Sequence, residues 1–208
     1  MPKNDNTVNI ESERRAYHHG DLRPALVQAG LEKLQTQSVQ ELSLREIART
    51  VGVSPTAVYR HFPNKQSLLY ALCEFGAAAL YAEQDRAMRA AGGGAAGFAA
   101  TGKAYIRYAL ANPALFRLLM TTKSPTEILN ADEEHAQAAM TLLRRNVASL
   151  APQGASPEQQ RILVALAWSQ VHGLAMLMLD GLVPVDETLI EAIGVPLPAG
   201  PTDSGSAT

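Results

Sequence analysis

Five side chains within six residues, Thr56, Ala57, Tyr59, Arg60 and His61, have the make-up of a surface that reads nucleic acid. A threonine hydroxyl can bond several base edges, and an alanine methyl can touch the methyl of thymine. Tyr59, Arg60 and His61 carry donors suited to phosphate or sugar oxygens. Two smaller groups flank them: Ser43 with Arg45 before, and Lys65 after. Phosphate contacts would fix register, and base contacts would fix sequence. Each residue also has a plainer use. Ser43 and Ser54 are helix caps first, Tyr59 can cover a core edge, Arg60 can be a solvated charge, and Arg45 can pair with a carboxylate.

The elements that must hold these groups are legible in Ser43 to Lys65, SLREIARTVGVSPTAVYRHFPNK. Ser43-Leu44-Arg45-Glu46 has the form of a capping box, and Leu44, Ile47, Ala48 and Val51 recur at helical spacing. Gly52 stands where that helix must stop. Ser54-Pro55 opens a second helix, with serine at the cap and proline at the first helical position. Phe62-Pro63 ends it near His61, because the residue before proline is pushed out of the helical region. Asn64 can cap the helix after that. Two helices joined by a glycine-containing turn predict a helix-turn-helix, with the second helix as the reading element.

The rest of the chain reads as helices without a strand. Leu22 to about Gln35 forms helix 1, capped by Asp21. Ser38 to Glu41 matches a capping box, but no apolar periodicity follows, so it predicts only a loop. Helix 4 begins at Lys65 and runs to about Ala90. Ala91-Gly92-Gly93-Gly94 breaks it, with neither the strand nor the lysine pattern of a phosphate loop. Helix 5 spans about Gly97 to Ala111, helix 6 Ala114 to Met120, helix 7 about Asn130 to Leu150, and helix 8 Pro157 to Asp180. A short helix over Asp186 to Ile193 follows. The predicted fold is all-α: a three-helix unit joined through a long helix 4 to a larger bundle, about nine helices. The domain reading is a mobile arm over 1–16, a helix-turn-helix unit over 17–66, a helical domain over 67–195 and a disordered tail over 196–208.

Composition narrows the function. The net charge is −2 over 208 residues. It divides unevenly: residues 1–66 carry nine Lys/Arg against seven Asp/Glu, and 67–208 carry nine against thirteen. A mildly positive end suits a protein that meets nucleic acid on one side only. Arg14, Arg15, Tyr17, His18 and His19 precede helix 1 as a basic, aromatic arm or an ordinary solvated terminus. His18-His19 has no further metal ligand close in sequence. The single Cys73 allows no intramolecular disulfide and fits the cytoplasm. The polar start has no apolar segment of a secretory signal, and no apolar run reaches membrane-spanning length, so no membrane partner is expected. HExxH, a Cys cluster, a paired-carboxylate site and a phosphate loop are all missing, which argues against an enzyme and against a cofactor.

The N-terminal part resembles the TetR family of bacterial transcriptional regulators. The resemblance rests on Tyr17-His18-His19-Gly20-Asp21-Leu22, Leu44-Arg45-Glu46-Ile47-Ala48, Val51-Gly52-Val53-Ser54, Val58-Tyr59-Arg60-His61-Phe62, and Asn64-Lys65 with Leu68-Leu69. Tyr105 to Ala109, Asn112-Pro113 with Phe116, and Trp168 to Leu174 resemble a C-terminal subgroup named for its Trp, His and Gly. The resemblance implies a homodimer on a near-palindromic double-stranded operator, read by helix 3, with repression relieved by a small apolar or amphipathic molecule. The alternatives are a DNA-binding dimer that needs no ligand and, last, an all-α enzyme. Ser43, Arg45, Ser54, Thr56, Ala57, Tyr59, Arg60, His61, Lys65 and Tyr17 are the DNA-binding candidates. Helices 7 and 8 are the candidate dimer interface, because helix 8 is apolar around most of its circumference. Phe75, Tyr105, Tyr108, Phe116, Met120, Met140, Trp168, His172 and Met176 are the candidate pocket residues, or else plain core.

Overall fold

In the computed structural model, residues 22–121 and 138–194 are described. Tyr17 and the rest of the arm, the Asp21 cap, the start of helix 7 and the tail from 196 lie outside them. The helices among the described residues are α1 (Leu22–Leu34), α2 (Leu44–Val51), α3 (Pro55–His61), α4 (Lys65–Ala90), α5 (Gly94–Ala111), α6 (Pro113–Thr121), α7 (Ala138–Leu150), α8 (Pro157–Leu179) and α9 (Glu187–Ala192), with no strand. The all-α expectation is met. The chain forms two compact units that divide between Ala71 and Leu72, inside α4. The sequence had put that boundary at the start of the helix.

The first unit is set by local chemistry at the helix ends. The Ala57 N–H donates to Ser54 Oγ at 3.2 Å, with Pro55 in the first turn. A cap of this kind stabilises a helix by about 1 kcal/mol. The Ser67 N–H donates to Asn64 Oδ1 at 2.9 Å and starts α4. Gly52 takes φ 76°, in the left-handed region, where a side chain would be strained. The Val53 N–H reaches Ala48 O and the Gly52 N–H reaches Arg49 O, the bond pair of a Schellman stop.

One predicted cap does not form. Ser43 has extended backbone angles, but its side chain makes no capping bond. Glu46 accepts instead from Lys33 Nζ at 2.8 Å, a partner on α1. That hydrogen bond is the main reason the Glu46 carboxyl sits below its ordinary range. The reverse holds at Ser38. Its N–H and hydroxyl both donate to Glu41 Oε2 at 2.8 Å, yet only a turn follows.

Beneath these ends, α2 packs on both α1 and α3. Leu26, Ile47, Val58, Phe62 and Leu68 are all but fully buried. Burying each such side chain contributes about 1.5–3 kcal/mol. The Arg23 guanidinium lies over the Phe62 ring at 5.4 Å from its centroid.

In the second unit α5 is the hub, packing against α6, α7, α8 and α9. Gly97 permits the α4–α5 approach: a Cβ there would lie 3.1 Å from the Met88 carbonyl oxygen. Phe98, Met140, Val147, Leu163, Val164 and Ala167 form a core shared by α5, α7 and α8. Lys103 and Arg107 on α5 hold Glu191, and Arg107 also holds Glu187, so α9 is fastened by charge. Ser156 opens α8 with a complete capping box to Gln159. By length and mean hydropathy α8 is sufficient to cross a bilayer, which corrects the expectation that no such run exists. Only 33% of its apolar window is buried within the chain.

Candidate functional site

α3 is anchored by one residue. Val58 is 0% exposed, whereas Thr56, Tyr59, Arg60 and His61 are solvent-facing and Ala57 is half-buried. Tyr59 is 44% exposed, so it does not serve as a core cover. Arg45 and Arg60 are exposed, and neither forms an ion pair among the described residues. Ser43 retains a hydroxyl uncommitted to capping. Lys65 is half-buried, and its Nζ donates to Gln40 O at 2.7 Å. An ammonium has three donors, so this bond leaves two. The same lysine therefore braces the turn before α2.

The second unit contains a partly open cavity of about 60 Å³. Its wall takes residues from α4 (Leu80, Gln84), α5 (Phe98, Thr101, Gly102, Tyr105), α6 (Leu119, Met120), α7 (Met140, Leu142, Leu143) and α8 (Ala167, Trp168, Val171). Of the nine candidates, Tyr105, Met120, Met140 and Trp168 stand on this wall. Phe116 is fully buried behind it, edge-on to Tyr105 at 5.3 Å between centroids. His172 lies behind Tyr105, hydrogen-bonded to it. Tyr108 is outside the lining and donates to Gly76 O at 2.9 Å. Burial pushes its phenol up to about 12. Met176 is half-buried and outside the lining, and Phe75 is 49% exposed on α4.

Tyr105 ties α5 to α8 through one oxygen. The Trp168 indole N–H donates to it at 3.1 Å, and His172 Nδ1 lies 3.0 Å away. An indole nitrogen only donates, so the tyrosine oxygen accepts there. Its own hydrogen has two acceptors in reach, His172 Nδ1 and Met120 Sδ at 3.9 Å, and when it serves Nδ1 the imidazole proton stands on Nε2. Burial favours this neutral ring by pushing the His172 pKa below its ordinary value. The Tyr105 phenol is pushed well above its ordinary value by burial, with a smaller opposing effect from the Trp168 hydrogen bond.

A depressed histidine pKa means that the unfolded chain binds the proton more readily. The His172 contribution is thus intact above about pH 6.5 and is lost as pH falls from there toward the lowered folded value. Urea midpoints taken from pH 7.5 down to 5.5 should fall more steeply for the natural chain than for His172→Gln. Parallel slopes would show that the ring protonates freely in the folded state.

Sequence reasoning missed Gln84 and Thr101. Gln84 sits in the polar run Glu83-Gln84-Asp85-Arg86 and reads as solvated surface. The signal was its spacing: Gln84 follows the apolar Leu80 by four residues, on the same face of α4. Thr101 is buried by the same face of α5 that carries Phe98 and Tyr105.

Two family models account for most of the described chain. Residues 26–72 match Bacterial regulatory proteins, tetR family. Residues 98–193 match Tetracyclin repressor-like, C-terminal domain. The chain belongs to the TetR family. Nothing in the second match names the Trp-His-Gly subgroup. Nucleoid occlusion factor SlmA of Marinobacter nauticus is 39% identical over 59 residues, which make up 28% of this chain and 30% of that protein. A structure from Rhodococcus sp. RHA1, described as a protein with unknown function, is 32% identical with a TM-score of 0.71, covering 88% of this chain and 96% of that one. A TetR variant from Acinetobacter baumannii AYE in complex with minocycline shares the fold, at a TM-score of 0.55 and 17% identity over 81% of this chain and 87% of that one. TetR membership places the chain among DNA-binding transcription regulators and not among enzymes. In this TetR chain, α2 and α3 lie within the N-terminal match, and α5 to α9 lie almost entirely within the C-terminal one.

Proposed function

We propose that this TetR-family chain is a cytoplasmic repressor that binds a near-palindromic operator as a homodimer and leaves it when a small apolar or amphipathic molecule enters the second unit. The observation that carries the reading is the exposure pattern of α3. A helix that buries only Val58 and presents Thr56, Tyr59, Arg60 and His61 gains little from its own core. Thr56 and Ala57 stand in its first turn, the end of a recognition helix that meets base edges. Ser43, Arg45 and Lys65 supply phosphate donors around it, and Tyr17 is proposed as a further contact from the arm.

Selection of bound sequences from random duplexes is expected to yield a near-palindrome with half-sites about one helical turn apart. Thr56→Val or Ala57→Ser should change the preferred bases within each half-site. The natural motif returned unchanged by both variants would remove α3 as the reader. Lys65→Ala should weaken selected and random DNA alike and lower the salt slope by about one. It should also cost stability, because Gln40 O loses its donor. An unchanged slope would take Lys65 out of the phosphate set.

The dimer is proposed to form through α7 and α8. Ile162, Leu166, Gly173 and Leu177 follow one another at intervals of four, seven and four residues, so they share a face of α8. Ile162, Leu166 and Leu177 are exposed, and a Cβ on Gly173 would meet nothing within 4 Å. A glycine inside a helix costs about 1 kcal/mol against alanine. Packing among the described residues gives no reason for it; close approach by a second copy does. Release would depend on α4, which carries Lys65 in its first turn and Leu80 and Gln84 of the cavity wall later. A ligand shifts such an equilibrium only by its differential affinity for the two states.

A further inference from the structure

Gln84, a residue of the cavity wall, carries a buried polar atom that has no partner among the described residues. Gln84 is 8% exposed, and its Nε2 donates to Thr101 O at 3.3 Å. A carbonyl can only accept, so this bond fixes the orientation of the amide. The remaining atom, Oε1, is buried, and no donor among the described residues reaches it. The Thr101 and Tyr105 hydroxyls of the wall are already hydrogen-bonded elsewhere. Thr101 Oγ1 donates to Phe98 O at 2.7 Å, and Tyr105 is held between Trp168 and His172. Among the described residues the wall contains no Asp, Glu, Lys or Arg. An ion would therefore enter without a countercharge, and a purely apolar molecule would leave Oε1 unpaired.

We infer that the cavity takes a neutral, largely apolar small molecule with one hydrogen-bond donor, an alcohol or phenol in class, whose O–H donates to Gln84 Oε1. This rests on the reading of the cavity as the effector site. At about 60 Å³ the cavity admits few atoms as it stands. Met120 and Met140 are the parts of the wall best able to give way, being unbranched and without strong rotamer restriction. The donor is then what distinguishes one apolar guest from another.

Phenol, toluene and benzoate test this, being close in size and differing in donor and charge. Titration calorimetry and thermal unfolding of the full chain, without DNA, should show phenol binding about tenfold more tightly than toluene. Benzoate should not bind. Gln84→Leu should abolish the preference, with toluene binding at least as well as phenol. It removes the unpaired Oε1 together with one 3.3 Å bond to Thr101 O and leaves an apolar side chain of similar size, so the fold should hold; Gln84→Met serves if it does not. Equal affinity for phenol and toluene in the natural chain, binding of benzoate, no binding of phenol, or a phenol preference that survives in the variants would each overturn the inference. The regulator reading fails separately. Selective operator binding without phenol discrimination would remove this inference alone. Phenol discrimination through Gln84 with operator affinity unchanged by saturating phenol would remove ligand release alone.

Discussion

A chain carrying Leu166→Arg together with Leu177→Arg is expected to sediment as a monomer at micromolar concentration and to lose operator affinity by about 10²–10⁴-fold. Both residues are exposed on α8, so the monomer should fold with unchanged helical content. In a dimer joined at this face, four guanidinium groups would be desolvated close to one another, which is strongly unfavourable. The loss in DNA binding follows from geometry and needs no contact with DNA. With two linked heads the second binding event is intramolecular, and an unlinked head loses that advantage. The effect should vanish on a duplex with a single half-site, where natural and variant chains should bind alike. A variant that remains dimeric, or a monomer that keeps full operator affinity, would remove α8 from the assembly.

The largest expected effect on stability is that of Tyr105→Phe. Removing one oxygen strands the Trp168 indole N–H and His172 Nδ1 together. A fully buried polar group left unsatisfied costs about 1–3 kcal/mol; Trp168 and His172 are half-buried, so the pair should cost about 2–4 kcal/mol. In a chain of this size that lowers the unfolding midpoint of the second unit by about 4–16 °C. Tyr108→Phe is the matched comparison. It removes a single bond, to Gly76 O, and should cost about 1 kcal/mol. Equal costs for the two variants would mean that water replaces the missing hydroxyl at Tyr105, and the tie between α5 and α8 would then be packing alone.

What the sequence made legible here was local. Ser54 with Pro55, Gly52 and Asn64 act on atoms within five residues of themselves, so type and spacing were enough. Ser43 shows the limit. Its match to a capping box was as good as that of Ser156, but Glu46 was drawn to Lys33, thirteen residues upstream. Pocket residues show it again. Aromatic and sulfur side chains were chosen by chemistry, and packing then sorted them. Tyr105, Trp168 and His172 meet because α5 crosses α8, whereas Phe75 falls on an exposed part of α4. Gln84 was hidden by its charged neighbours, although its four-residue spacing from Leu80 was in plain view. The apolarity of α8 was visible, but the share of it buried within the chain was not, because burial depends on α5 and α7.

The central claim is that two copies of α3 read one duplex. Equilibrium sedimentation and anisotropy titration on the selected near-palindrome, against a scrambled duplex at physiological salt, test it most directly. Two chains per duplex are predicted, with at least about 10³-fold preference for the selected sequence. One chain per duplex, or equal affinity for the two DNAs, would contradict it.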